Sequence, residues 1–325
     1  MRSASATNGH PELLDEFAAD VRAGLGGPGQ KTLPSRYLYD DLGSALFEAI
    51  SFLPEYGLTR ADERIVRAHA REMAAMLRPP VVVAELGSGS GRKTRWILEA
   101  LARLKPTVYY PIDISSAALQ RCAVELGGLA SVRVEPIEDD YLGGLTTVTS
   151  QRKTNERLFL LFLGSTIGNF ERDKAQEFLG EIRARLLPGD AFLLGTDLVK
   201  PPAVLLAAYD DPLGVTAAFN LNLLRRLNRE LDADFDLALF EHEARWDAAE
   251  KRVDMHIVAR RAHKARIKAL DLVVLFRAGE SIWTESSYKY EADEPIRIAR
   301  RAKFEPAGQW RDLEWPFAES LFIAR

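Results

Sequence analysis

The sequence predicts an α/β fold in which a mostly parallel sheet, covered by helices on both faces, is interrupted by a second, α+β domain. Three observations predict it. Short apolar runs alternate with amphipathic helical stretches over residues 81–199. After Lys200 that alternation stops and gives way to helices, then to strands separated by polar turns. A helix and two further strand-like runs close the chain over 293–325.

Taken in order, residues 1–10 read as a loose polar tail. Residues 11–23 read as an amphipathic helix stopped by Gly24, Gly26, Gly27 and Pro28. A loop, Ser35-Arg36-Tyr37-Leu38-Tyr39-Asp40-Asp41, leads into a short helix near 43–50 and a break at Leu53-Pro54-Glu55-Tyr56-Gly57. Thr59 with Asp62 three residues on resembles a capping box for a helix reaching about residue 78. Strands follow at 81–86, 108–112, 132–137, 158–163 and 191–195, with helices near 92–104, 115–126 and 172–187. Strands so continuously apolar are buried on both faces, as in a parallel sheet.

Pro201 and Pro202 open a helical stretch, and 216–231 reads as another helix. The strands expected next are 237–245, 252–260, 267–276 and 281–290, with turns such as Asp247-Ala248-Ala249-Glu250. The last two strands are 304–311 and 313–323. A parallel sheet closed by an antiparallel terminal pair is the usual ending of the Rossmann-like class I methyltransferase fold. We therefore assign 61–199 and 290–325 to a cofactor-binding sheet domain, and 11–60 with 200–289 to an inserted α+β substrate-binding domain.

The 325 residues are 47% apolar and 28% charged, the balance of a soluble globular protein. A net charge of −4 argues against a nucleic-acid partner. The basic run Arg260, Arg261, His263, Lys264, Arg266 and Lys268 reads as a solvated hairpin end. The one cysteine, Cys122, lies in a helical apolar pattern and reads as core, which suits a reducing cytosol. None of the five histidines pairs with another His or Cys at ligand spacing, so no metal is expected. No signal-peptide pattern opens the chain, and the longest apolar runs, such as 158–163 and 203–209, are too short to span a bilayer. The expectation is a cytoplasmic monomer acting on a small molecule, with no membrane partner.

The first strand ends in Glu85-Leu86-Gly87-Ser88-Gly89-Ser90-Gly91. Glycines permit a tight turn at positive φ and close approach of a ligand. The spacing is G-x-G-x-G, and Arg92 stands where a dinucleotide fingerprint has its third glycine, which favours an S-adenosylmethionine loop over a pyrophosphate loop. The second strand ends at Asp113, where a carboxylate can accept both ribose hydroxyls. After the third strand, Asp140 is the candidate acceptor for the adenine amine, or else a solvated acidic turn. Lys93 either meets the cofactor's carboxylate or is a solvated residue of the first helical turn.

Several segments together resemble the histidine Nα-methyltransferases of ergothioneine biosynthesis. They are Tyr37-Leu38-Tyr39-Asp40-Asp41-Leu42-Gly43-Ser44, Leu53-Pro54-Glu55-Tyr56, Glu85-Leu86-Gly87-Ser88-Gly89, Phe162-Leu163-Gly164-Ser165-Thr166-Ile167-Gly168-Asn169, Leu194-Gly195-Thr196-Asp197-Leu198-Val199-Lys200 and Thr284-Glu285-Ser286-Ser287. The resemblance implies a Rossmann-like domain, a second domain closing over the amino acid, and three methyl transfers to the α-nitrogen of L-histidine, giving hercynine. It implies S-adenosylmethionine contacts from Tyr39, Gly87, Lys93, Asp113 and Asp140. Tyr56, Asn169 and Tyr209 would hold the substrate's amino and carboxylate groups, with Asn169 and Tyr56 nearest the chemistry. Glu285 and Ser287 would read the imidazole and Met255 would line its pocket. Gly57 departs from the pattern, since some members carry a second aromatic there.

The chemistry suits these residue types. Methyl transfer from a sulfonium needs no covalent nucleophile and no metal, only a neutral amine aligned with the S–CH₃ bond; such alignment contributes roughly 7–11 kcal/mol. Each residue also has a plainer reading. Asn169 has the composition of a cap for the next helix, Tyr56 and Tyr209 of packing with a satisfied hydroxyl, Met255 of core, and Glu285 with Ser287 of an exposed strand edge. The competing functions are methylation of another amino acid such as a tryptophan derivative, whose indole lacks the second ring nitrogen, and a nicotinamide-dependent oxidoreductase, against which the Gly91 spacing argues.

Overall fold

The structure is a computed structural model and describes residues 11–325. The expected tail over 1–10 lies outside the described residues. In chain order the elements are α1 (Pro11–Gly26), β1 (Lys31–Thr32), α2 (Asp41–Ser51), α3 (Leu58–Ala75), β2 (Val81–Leu86), α4 (Arg95–Ala102), β3 (Thr107–Asp113), α5 (Ser116–Leu126), β4 (Val132–Val134), β5 (Ile137–Glu138), α6 (Tyr141–Gln151), β6 (Arg157–Phe162), α7 (Arg172–Arg185) and β7 (Ala191–Asp197). Then come α8 (Pro202–Tyr209), α9 (Val215–Glu230), β8 (Phe240–Asp247), β9 (Arg252–Ala259), β10 (His263–Ile267), β11 (Leu272–Phe276), β12 (Ser281–Tyr288), α10 (Glu294–Arg301), β13 (Phe304–Asp312) and β14 (Phe317–Ala324).

The chain divides into two compact units. The larger holds residues 51–208, 247–252 and 286–325. Its sheet runs β13-β14-β7-β6-β2-β3-β4, with β5 also on β3. The strands from β7 to β4 are parallel, and β14 and β13 are antiparallel. This is the class I methyltransferase order. Every residue of β2 and of β7 is buried, as strands covered on both faces require. Phe162, Phe192, Leu160, Leu194 and Phe322 fill one core with the inward faces of α6 and α7. The order reverses between β2 and β6, so ligands belong at the carboxyl ends of those strands.

The smaller unit holds residues up to 50, 209–246 and 253–285. It is built on the mixed sheet β1-β12-β9-β8, the hairpin β10-β11, and helices α1 and α9. Strand β12 runs from one unit into the other, so Glu285 belongs to the smaller and Ser287 to the larger.

Several sequence expectations are corrected. Residues 51–60, 200–208, 247–252 and 286–289 group with the sheet unit, not with the smaller one. Thr59 caps nothing: the cap position of α3 is Gly57, and Asp62 is fully buried and bonded elsewhere. The strand expected over 267–276 holds the end of β10, a turn over 268–271 in which Asp271 takes φ 45°, and then β11. Asp is among the few residues that enter this region readily, and the apolar Ala269 and Leu270 disguised the turn. The strand expected over 132–137 is two short pieces, and α6 was not anticipated, because Gly143, Gly144 and four hydroxyl residues give it weak helix propensity.

Gly43 shows how tightly the Tyr39-Asp40-Asp41 turn is wound. A Cβ there would stand 1.7 Å from the Leu38 carbonyl oxygen, which is backbone and has little room to move. Gly43→Ala is expected to cost roughly 1–3 kcal/mol, an overpacking penalty, read as a lowered urea midpoint. An unchanged midpoint contradicts the geometry.

Candidate active site

The loop between β2 and α4 turns at Gly87, Gly89 and Gly91, with φ of 69°, 53° and 69°. Asp113, at the end of the neighbouring β3, braces it: Oδ2 accepts from the Gly89 N–H at 3.1 Å and Oδ1 from the Ser115 N–H at 2.9 Å. Burial raises the Asp113 pKa, and these backbone donors oppose the rise. A Cβ on Gly89 would meet nothing within 4 Å, so the turn presents bare backbone to open space beside a carboxylate. That arrangement fits an adenosyl group with its ribose on Asp113. At Gly91 a Cβ would lie 2.6 Å from the Cys122 sulfur. The thiol is therefore packing for the turn, and burial pushes its pKa up to about 12, the opposite of the shift that activates a thiol. Asp140 is exposed and caps α6, its Oδ1 accepting from the Gly143 N–H at 2.7 Å.

Lys93 is not a solvated surface residue. Its Nζ lies 2.5 Å from Asp62 Oδ2, which also accepts from the Gly164 N–H at 2.9 Å. Two more buried carboxyls stand close by. Glu85 accepts from Thr94 Oγ1 at 2.6 Å and from the Tyr109 hydroxyl at 2.5 Å. Glu319 reaches from β14, so that a Cβ on Gly195 would stand 2.6 Å from its Oε1. Burial lifts Glu85 to about 7, and lifts Glu319 well above the carboxylate range with Asp62 adding to the effect. Burial works against the Lys93 charge, but Asp62, Glu85 and Glu319 outweigh it and hold the ammonium charged. None of the three acids was assigned to the site from sequence.

A second buried polar cluster sits at the end of β7. Asp197 Oδ1 accepts from Lys200 Nζ at 2.6 Å and from the Trp315 indole N–H at 2.9 Å. Lys289 Nζ lies 3.1 Å from Asp197 Oδ2 and donates to Ser287 Oγ at 2.8 Å. The Asp197 N–H donates to Ser165 Oγ at 2.8 Å, at the start of the 3-10 turn Thr166–Asn169. Burial opposes the Asp197 charge, yet the two lysines outweigh it and hold its pKa below the usual value. Lys200 is pulled down to about 8 by burial. A Cβ on Gly168 would sit 2.8 Å from the Tyr288 carbonyl oxygen. The segments Gly164 to Asn169, Gly195 to Lys200 and Ser286 to Tyr290 are thus one packed junction.

Asn169 ends that turn, half-buried. The cap position of α7 is Glu171, with no side-chain cap bond, so the Asn169 amide is not spent on capping. Tyr56 is buried at the break before α3. The departure at Gly57 has a physical reason: a Cβ there would stand 2.2 Å from the Trp315 ring, so the indole fills the space.

In the smaller unit Tyr39 packs edge-on to Phe47 and Phe219, with ring centroids at 5.5 and 5.4 Å. Its neighbour Asp40 binds the Gly43 N–H, the Asn222 amide and Arg229 at 2.7–2.8 Å, so this carboxylate winds the turn and pins α9. Tyr209, Met255 and Glu285 are all buried. Around them runs a network that sequence reading missed. Asn220 Oδ1 accepts from Thr284 Oγ1 at 2.7 Å, and its Nδ2 donates to the His256 carbonyl at 3.1 Å and lies 2.9 Å from His242 Nδ1. His242 Nε2 is 2.7 Å from the Tyr209 carbonyl, so Nε2 is the donor of that pair. The Asn220 amide in a helical apolar stretch was the available signal.

The sequence profile described as histidine-specific, SAM-dependent methyltransferase matches residues 17–324. The chain belongs to the histidine-specific SAM-dependent methyltransferases. It is 44% identical over 307 residues to the histidine N-alpha-methyltransferase of Mycobacterium tuberculosis, covering 93% of each chain. Its identity to the histidine N-alpha-methyltransferase of Mycolicibacterium smegmatis is 40% over 310 residues, covering 94% of each. It is also similar to ergothioneine biosynthesis protein 1 of Neurospora crassa, 32% identical over 285 residues, 87% of this chain and 32% of that protein. As a methyltransferase of this family the protein uses S-adenosylmethionine. No helix among the described residues is long and apolar enough to cross a membrane.

The buried acids give this methyltransferase a pH signature. The Glu85 pKa is raised from 4.5 to about 7. A raised pKa favours the fold below the unfolded value, and that contribution fades as pH climbs through the folded one. Wild type should therefore lose stability relative to Glu85→Gln between pH 4.5 and about 8, measured by urea unfolding. A pH-independent difference contradicts the assignment.

Proposed function

We propose that this protein transfers methyl groups from S-adenosylmethionine to the α-nitrogen of L-histidine, three times, giving hercynine on the route to ergothioneine. The observation that carries this reading is the junction at Asp197, which packs the turn ending in Asn169 against the strand end bearing Ser287. The family match and the two mycobacterial relatives support the substrate.

When bound, the cofactor supplies a methyl group already activated on a sulfonium. Gly87 and its turn take the adenosyl group, Asp113 the ribose hydroxyls and Asp140 the adenine amine. Lys93, held charged by three carboxyls, meets the cofactor's carboxylate, and Tyr39 also contacts the cofactor. Tyr56, Asn169 and Tyr209 grip the substrate's amino and carboxylate groups, and Asn169 with Tyr56 turn the amine lone pair toward the methyl. Glu285 and Ser287 read the two ring nitrogens, and Met255 lines the side-chain pocket. A site built on such buried hydrogen bonds rejects ligands that lack the partner group. The protein is proposed to act as a monomer in the cytoplasm, where its buried free thiol stays reduced.

Glu285→Ala should raise the KM for histidine roughly tenfold to a hundredfold, the worth of a hydrogen bond to a charged group, while leaving the calorimetric Kd for S-adenosylmethionine unchanged. An unchanged histidine KM, or equal loss of both, contradicts the proposed reading.

A further inference from the structure

We propose that Glu319 is a positioning residue for the cofactor contact: it stays a neutral carboxylic acid, donates its proton to Asp62, and so leaves the Lys93 ammonium bound to one carboxylate and open to a second, that of S-adenosylmethionine. The inference rests on the proposed reading that Lys93 meets the cofactor's carboxylate.

An ionised carboxyl is an acceptor only, so two of them cannot bond without a proton. Asp62 and Glu319 are both fully buried, and their carboxyls stand within hydrogen-bonding reach of each other. Among the described residues no N–H or O–H group donates to Asp62 Oδ1 or to either Glu319 oxygen. A buried acceptor left without a donor is costly. One proton held between the two acids gives Asp62 Oδ1 its donor and removes one of the two charges. The bonding around each acid decides which one carries it. Asp62 Oδ2 already takes the Lys93 ammonium at 2.5 Å and the Gly164 N–H at 2.9 Å, two donors that favour a charge. Glu319 has no such donor, and its Oε1 is seated against bare backbone, 2.6 Å from where a Cβ on Gly195 would stand. The proton therefore belongs to Glu319. Burial holds the Glu319 pKa well above the carboxylate range, and Asp62 adds to the rise while Lys93 opposes it. The titratable groups that face Glu319 are Asp62 from α3, Lys93 from the turn before α4 and Glu85 from β2. Its cross-strand neighbours, Gly195 on β7 and Trp310 on β13, do not titrate.

The proton matters because of what Lys93 has to do. An ammonium has three N–H donors, and Asp62 takes one of them. The Lys93 side chain is 22% exposed, whereas both acids are fully buried. Were Glu319 ionised beside Asp62, carboxylates would outnumber the ammonium and a further carboxylate would be repelled. With Glu319 neutral, the Lys93–Asp62 pair has no net charge and Asp62 is pinned at both oxygens. The ammonium is then held in one place with donors left over.

Infrared difference spectroscopy of wild type against Glu319→Gln tests the proton directly, through the carbonyl stretch of a protonated carboxyl. It is run at about pH 8.5, where Glu85, at about 7, is mostly ionised. Wild type should show the band and Glu319→Gln should lack it. Calorimetry then compares S-adenosylhomocysteine with methylthioadenosine, which shares the nucleoside but lacks the amino-acid end that carries the carboxylate. Glu319→Gln keeps an N–H donor for Asp62 and should bind both ligands within about twofold of wild type. Glu319→Leu removes the donor and should bind S-adenosylhomocysteine about tenfold more weakly, with methylthioadenosine unchanged. No band in wild type overturns the inference, and this readout needs no variant to fold. A band that persists in Glu319→Gln places the proton elsewhere and overturns it as well. So does binding of S-adenosylhomocysteine about tenfold tighter in Glu319→Gln, which would report the loss of a negative charge beside Lys93. Equal weakening of both ligands by Glu319→Leu overturns the positioning role, since a merely structural residue would act on both. Lys93→Met should weaken S-adenosylhomocysteine alone. Unchanged binding there overturns the carboxylate role of Lys93, and the positioning role with it, while the band separately reports the proton.

Discussion

One buried carboxylate organises the junction on which the proposed substrate reading depends. Asp197 is 1% exposed and is met by two lysines and an indole N–H. Taking such charges out of water is costly, and the cost is offset only when geometry is good and remaining donors and acceptors are satisfied. Here the cluster also joins three stretches of chain far apart in sequence: the turn before Asn169, the end of β7, and the strand end carrying Ser287. An apolar core would hold these stretches together but would leave their polar ends undirected. The ion cluster sets which way each one faces.

The glycine turn relies on a different device. It is shaped by backbone φ and braced by Asp113, while beneath it Lys93 sits among Asp62, Glu85 and Glu319. Three carboxyls around one ammonium cannot all be ionised at modest cost, so protons are held inside this cluster. Asp62 ties Lys93, just before α4, to the end of β6 through the Gly164 N–H. Gly164 and Gly195 are small because Lys93 and Glu319 occupy the space a side chain would need.

Much of this was legible in the sequence. The continuously apolar strands, the glycine turn and Asp113 are local patterns whose meaning does not depend on what packs against them. The match over residues 17–324 bears out the family resemblance read from the quoted segments. What failed was reasoning that needed tertiary partners. Asp62 has the spacing of a capping residue, yet it is buried and bound to Lys93, thirty-one positions away. Gly57 looked like a departure from the family pattern until Trp315, from the far end of the chain, was seen to fill its place. Residues 267–276 read as one strand because an apolar run hides a left-handed Asp271. Lys289 and Glu319 gave no signal at all, since a lone Lys or Glu in a strand reads as surface.

The two units divide the named residues between them, with Gly87, Lys93, Asp113, Asp140, Tyr56, Asn169 and Ser287 in the larger and Tyr39, Tyr209, Met255 and Glu285 in the smaller. The measurement that bears most directly on the whole account is mass analysis of products after incubation with S-adenosylmethionine and a panel of free amino acids. The account predicts that histidine alone gains methyl groups efficiently, up to three. No gain on histidine, or a larger gain on another amino acid, contradicts it.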